Sequence, residues 1–301
     1  MSEEQAAPPP QAPAEEAPDD ANYLRGPLFR RLLGKPVTWI ATAIFVLAAG
    51  IAGAVYLGAT IGAGAAVAAL IVSLLIVFAI ADRRSEATFF AAYASERGMA
   101  LSGHGEVRAA TPLLCRGSER YVEHGFTGPF AEDVDGLLAL YTYEETTSTG
   151  NGQQRNYYRY TIGLVEVPEC ATEVPELLCN RKSGLHVFEG LEDSFRKSRQ
   201  RVRLESEALD EHYEIFSLKQ QDQVWLRRLF SPTFVVWLGE EAPKKFAFEL
   251  VEGMLCCYVK GHKKSAAELD AMRAATATVA RRLREEAQET GAASSAPGQP
   301  R

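Results

Sequence analysis

The run Arg196-Lys197-Ser198-Arg199-Gln200-Arg201-Val202-Arg203 places five cations within eight residues. The chemistry open to it is anion binding, because each Lys or Arg that reaches an anionic headgroup contributes about 1 kcal/mol. Arg196, Lys197, Arg199, Arg201 and Arg203 are therefore the candidate residues for membrane or partner contact. Glu192, Asp193, Glu205 and Glu207 flank the run and offer the competing outcome, neutralisation within the fold.

The other reactive groups point to packing rather than catalysis. Cys256 and Cys257 are adjacent, and neighbouring residues of a strand face opposite sides of a sheet, so the two sulfurs do not share a site. Neither has a cation beside it in sequence to lower its pKa. His104, His124, His186, His212 and His262 are scattered, without HExxH spacing or a cysteine at ligand distance, and read as surface or turn residues. Glu205, Glu207, Asp210 and Glu211 read as a solvated, salt-bridged surface. Gly58, Gly62 and Gly64 lack the Lys-Ser/Thr of a phosphate-binding loop, and no GxSxG elbow or GxGxxG turn occurs. No catalytic, cofactor-binding or metal-ligating residue is nominated.

Residues 36–81 must position everything else. These 46 residues contain no Asp, Glu, His, Lys or Arg. A bilayer core of roughly 30 Å takes about 20 helical residues, so the stretch predicts two transmembrane helices, 38–57 and 61–82, turning near residues 58–62. Ala49, Gly50, Gly53, Ala54, Gly62, Ala65 and Ala69 let the helices approach each other or a second copy. Mid-span ionisable groups, which a transport pathway requires, do not occur. Arg25, Arg30, Arg31 and Lys35 precede the first span and Arg83 and Arg84 follow the second, with none in the turn. The positive-inside rule then predicts both termini and the soluble region on the cytoplasmic side of a plasma membrane. Trp39 and Tyr56 fall at the two interfacial levels.

Around this anchor, residues 1–22 are rich in Pro, Ala and Glu and predict a disordered tail. Residues 23–37 mix leucines, Phe29 and arginines, as an amphipathic juxtamembrane segment does. Residues 83–290 predict one cytoplasmic domain, and 291–301 a second disordered tail. Within the domain, 85–97 reads as a helix, either capped by Ser85 or continuing the second span, and 137–143 with 157–167 as a long hairpin around Gly150-Asn151-Gly152. A short strand is expected at His186, Val187 and Phe188, and another over 213–217. Two helices follow, one over 222–230 and one opened by Ser231-Pro232. A second hairpin over 246–259 precedes a long helix whose Leu269, Met272, Ala275, Val279 and Leu283 form one stripe. Hairpin-paired strands with grouped helices indicate an α+β fold: a two-helix transmembrane hairpin, then antiparallel sheets with packed helices and a C-terminal amphipathic helix. The strands divide into halves, roughly 99–168 and 185–290, and the pattern leaves open whether these are two lobes of the one domain.

Composition narrows the function. Of the net charge of −7, Glu3, Glu4, Glu15, Glu16, Asp19 and Asp20 supply nearly all. The remainder has no basic excess, which argues against nucleic-acid partners. Five cysteines without paired spacing predict reduced thiols.

FFAAYASERGMAL after the spans, LYTYEE with YYRYTIGLVEVP, HYEIFSLKQQDQVWLRRLFSPTFVVWL, and FAFELVEGMLCCYV carry one further reading. Their order resembles a family of uncharacterised bacterial membrane proteins with two N-terminal spans followed by a cytoplasmic α+β domain. The resemblance implies a fold and brings no activity or cofactor. The expected function is a membrane-anchored, non-enzymatic adaptor, scaffold or sensor module with the bilayer and an unidentified protein as partners, and self-association through the small-residue helix faces. The alternative is a lipid- or small-ligand-binding domain that uses the 196–203 surface.

Overall fold

A computed structural model describes residues 20–149, 152–174, 176–182, 199–204 and 206–295. The strand expected at 186–188 and the basic residues Arg196 and Lys197 lie outside these. The chain divides into two units, Met1–Tyr93 and Ala94–Arg301.

The first unit is helical. Helix α1 (Ala21–Leu33) is capped by Asp20, whose carboxylate accepts from Asn22 N–H at 2.7 Å. Pro36 opens α2 (Pro36–Leu57) at a position where a missing N–H costs nothing. Thr38 Oγ1 and Trp39 Nε1 donate to the carbonyls of Leu32 and Leu33 at 2.8 and 2.7 Å, which satisfies acceptors that the end of α1 leaves open. Gly58, at φ 100°, separates α2 from α3 (Ala59–Glu96). Both helices are long and apolar enough to cross a membrane. Their side chains point outward: Val37, Ile44, Leu47, Ile51 and Leu75 are all more than half exposed. Where α2 and α3 approach there is no room for a side chain, since a Cβ on Gly62 would lie 2.6 Å from Ala54 N. Arg25 pairs with Asp82 and lies over the Phe78 ring, which ties α1 to α3.

Helix α3 decides between the two readings of residues 85–97. The second apolar segment and the following helix are a single helix of 38 residues, about 57 Å long. Ser85 is not a cap but a wholly buried mid-helix residue. After Gly64 no Gly or Pro occurs until Gly98, whose φ of 63° terminates the element.

The second unit contains one nine-stranded antiparallel sheet. In chain order its strands are β1 (Ala100–Ser102), β2 (Glu119–Ala131), β3 (Val134–Thr149), β4 (Gly152–Glu166), β5 (Glu176–Arg181), β6 (Arg199–Val202), β7 (Tyr213–Leu218), β8 (Ala247–Val251) and β9 (Met254–Lys260). They lie in the order β1-β2-β3-β4-β9-β8-β5-β7-β6. The two halves are therefore not separate lobes. Strand β9 runs beside β4 from Glu166↔Met254 to Tyr160↔Lys260, and β8 pairs with β5, so the late hairpin joins both halves. Among the described residues the unit also has helices α4 (Cys170–Glu173), α5 (Glu207–His212), α6 (Gln223–Leu229), α7 (Pro232–Glu240) and α8 (Ala266–Ser295). Asp222 and Ser231 cap α6 and α7 as their sequences predict.

The sheet has two unlike faces. Leu138, Gly163, Cys257 and Phe248 are in register on one side, and α8 lies on it with Leu269, Met272, Ala275, Val279 and Leu283 buried. Gly163 is required there because Thr276 of α8 occupies the space of a Cβ. On the other side Tyr141, Tyr143, Tyr160, Cys256 and Tyr258 form a core with Leu113 and Leu114, from a single 3₁₀ turn (Leu113–Cys115).

Candidate functional site

The described part of the basic run lies on β6, at one edge of the sheet. Arg199 and Arg201 share a face of that strand, opposite Leu218 and Phe216 of β7. Arg199 is largely withdrawn from solvent and paired with Glu176 of β5, while Arg201 lies 3.5 Å from Glu214 of β7. Arg203, just beyond the strand, is exposed. Two of the arginines thus pair with acids on other strands of the sheet, while the flanking Glu192, Asp193 and Glu205 lie outside the described residues. Arg201 and Arg203 remain at the surface, and Arg199 serves the fold.

A buried acid escapes sequence reading. Glu249, on β8, is fully buried on the tyrosine face. Its Oε2 accepts from the Leu113 N–H at 2.9 Å, and its Oε1 lies 3.3 Å from the Tyr258 hydroxyl. That hydroxyl has a single proton, and its closer acceptor is Asn180 Oδ1 at 2.5 Å. Burial pushes the Glu249 carboxyl up to about 7, against the opposing pull of the Leu113 N–H, Thr111, Tyr258 and Arg116. A neutral carboxyl suits the geometry, since it can donate to the Tyr258 oxygen that the Asn180 bond leaves free. The nearly unbroken apolar run Phe246-Ala247-Phe248 and Leu250-Val251 around Glu249 was a signal, because a strand buried on both faces takes any acid in it into the interior.

His262 is the second residue that sequence reading misplaced. It is not a surface histidine, since its side chain is 6% exposed. Nε2 lies 3.2 Å from the Tyr141 carbonyl oxygen and 3.3 Å from Thr142 Oγ1, and Nδ1 lies 3.6 Å from Glu123 Oε2. The sequence of contacts Thr142, His262, Glu123 has the outline of a nucleophile, base and acid. Its chemistry does not follow that outline. The Tyr141 carbonyl can only accept, which places the proton on Nε2, and Thr142 donates to Glu123 Oε1 at 3.1 Å. Thr142 is also wholly buried, beyond the reach of a substrate. Burial lowers the His262 pKa, with Glu123 pulling the other way.

The two adjacent cysteines are inert by burial. Cys256 faces the tyrosine core and Cys257 faces α8, as strand alternation predicts, and burial raises both thiols. His104 stands against the Tyr121 ring at 4.9 Å. Among the described residues no three His, Cys, Asp or Glu side chains converge as metal ligands. One groove of about 670 Å³ runs between α5, α6 and α7, with Leu209, Phe230, Val235 and Val236 as apolar walls and Arg227 and Glu240 among its polar members.

No protein-family model matches the chain, and no curated protein matches it. Among solved structures, the crystal structure of the mycobacterial trehalose monomycolate transport factor A, TtfA, is similar over 70% of this chain and 95% of its own. The identity is 9% and the TM-score 0.41, a likeness that carries no function across. The resemblance to two-span bacterial membrane proteins therefore stays one of pattern, consistent with two apolar helices ahead of an α+β domain.

Proposed function

We propose that this chain is a membrane-anchored, non-enzymatic module whose α+β domain acts as an adaptor, scaffold or sensor at the cytoplasmic face of a bacterial plasma membrane. One observation carries the reading: over residues 36–81 no side chain is charged, and the large apolar ones on α2 and α3 point outward. In water such a surface is unfavourable by about 25 cal/mol per Å², whereas in lipid it is at home. In this reading α2 and the first part of α3 form a transmembrane hairpin about Gly58. The arginines before α2 and after Ala81 hold both termini inside. The small residues Gly50, Gly53 and Gly62 serve the contact between the helices, and self-association through the spans uses the remaining face around Gly64, where a side chain would meet open space. The non-enzymatic part draws support from the Thr142 hydroxyl, which is buried and committed to Glu123.

Alkaline carbonate extraction of membranes tests the anchor, and paired reporter fusions at the two ends test the orientation. The protein should stay with the pellet, and both reporters should report the cytoplasm. Release into the supernatant sinks the anchor, and one exported terminus sinks the hairpin.

A second reading is anionic-lipid contact by the 196–203 surface, supported by the exposure of Arg201 and Arg203. Proteoliposomes with and without phosphatidylglycerol should then differ in proteolytic protection of the domain. Arg201→Glu with Arg203→Glu should abolish the difference; an unchanged pattern removes this reading.

A further inference from the structure

The β3–β4 pair runs on alone past the rest of the sheet. β2 pairs with β3 no farther than Glu144, and β9 pairs with β4 no farther than Tyr160, yet the β3–β4 register continues to Thr149↔Gly152. Two hydrogen bonds fix which backbone groups of this arm face outward. The Ser118 N–H donates to the Glu144 carbonyl at 2.9 Å and the Gly261 N–H to the Arg159 carbonyl at 2.7 Å, each from the side away from the hairpin partner. Outward and inward groups alternate along an antiparallel strand. Thr146 and Ser148 on β3, and Gln153, Arg155 and Tyr157 on β4, therefore direct both backbone groups away from the hairpin. Among the described residues no strand meets them.

Natural sheets guard such edges with Lys, Pro, bulges or inward charges, and a two-stranded ribbon in water is only marginally stable. From Thr146 to Gln154 the sequence has no charge and no proline. Thr146, Thr147 and Ser148 are exposed. An edge of this kind is a template for another strand.

We propose that the outer edge of β3, residues 146–149, is a homodimer interface in which the same segment of a second copy pairs antiparallel about a two-fold axis at Thr147. Thr146 of each copy then faces Ser148 of the other, and each such pair exchanges both backbone bonds. The occupant is a second copy because the segment is self-complementary. It is uncharged, so two copies meet without repulsion, and its hydroxyl side chains suit cross-strand Thr pairs. A foreign peptide would draw its specificity from side-chain pockets, and the short hydroxyl residues of 146–149 present no apolar anchor. The β4 edge is a poorer choice, because a two-fold there brings two Arg155 side chains together.

Sedimentation of the full chain in detergent tests this. The wild type should show a concentration-dependent dimer. Ser148→Pro removes one outward N–H without cutting the inner ladder, and Thr147→Lys places like charges at the axis. Each should raise the dimer dissociation constant at least tenfold, while Gln153→Pro on the opposite edge should leave it unchanged. Thr147→Cys in a Cys115→Ser background should give a disulfide-linked dimer on oxidation. A monomer at every concentration, a dimer indifferent to both β3 variants, or one lost through Gln153→Pro instead overturns the proposal.

Discussion

The Leu113 N–H donates to Glu249 Oε2 at 2.9 Å, joining positions 136 residues apart across the tyrosine face of the sheet. Glu249 is held near pKa 7 in the folded protein by burial, whereas an unfolded glutamate titrates near 4.5. Between these values the native state binds a proton that the unfolded chain does not. Stability from this group is therefore full below pH 4.5 and falls by about 1.4 kcal/mol per pH unit as pH rises toward 7. Glu249→Gln keeps the shape and removes the charge. Denaturant unfolding should find the variant close to wild type at pH 4.5 and about 3 kcal/mol more stable at pH 8, the full extent of that shift. Equal curves at both pH values would dispose of the buried carboxylate argument.

His262 contributes with the opposite sign. Burial holds its folded pKa below the ordinary 6.5, so its contribution is present above pH 6.5 and lost as pH falls through the folded value. His262→Gln can still donate to the Tyr141 carbonyl and should flatten the loss of stability on the acid side. NMR titration of the imidazole should place its midpoint below 6.5; a midpoint above it reverses the prediction.

Thr276 fills the space that a side chain on Gly163 would need, and its Cβ and Cγ2 would both lie 3.1 Å from such a carbon. Gly163→Ala should destabilise the protein by about 1–3 kcal/mol, the usual cost of overpacking a core. Adding Thr276→Ala should recover most of that loss, read as a coupling energy in a double-mutant cycle. Simple additivity would mean that α8 shifts to accommodate the methyl group.

Two arginines of the basic run should behave differently. Glu176 has a side-chain exposure of 10%, so Arg199→Ala leaves a nearly buried carboxylate without its partner and should cost about 3 kcal/mol of stability. Arg203→Ala, at an exposed position, should stay within about 0.5 kcal/mol by thermal unfolding. If the two variants melt alike, the Arg199–Glu176 pair has no structural weight.

Local signals in the sequence located the elements whose causes are local. The hairpins over β3–β4 and β8–β9, the caps Asp222 and Ser231, and the apolar stripe of α8 all follow from alternation, turn residues or three-and-four spacing. Strand β2 has no clear sequence signal, because Gly125, Gly128 and Pro129 are poor strand formers. The sheet takes them at an irregular register, with shifts between Val122 and His124 and between Pro129 and Ala131. Strand β5 was missed because burial on both faces erases alternation. The partners of the basic run, Glu176 and Glu214, come from strands whose neighbourhood with β6 only the tertiary fold creates. Glu249 and His262 were passed over for the same reason.

The strand order also governs how the domain is made. Strands β8 and β9 sit at the centre of the sheet but are among the last to leave the ribosome, so β4 and β5 each wait with one side bare until residues 247–260 arrive. A nascent chain stalled before that point is two unfinished ribbons rather than half a domain. Assembly depends on contacts distant in sequence and is correspondingly slow, which makes the interval of synthesis the stage at which this protein is most vulnerable to aggregation.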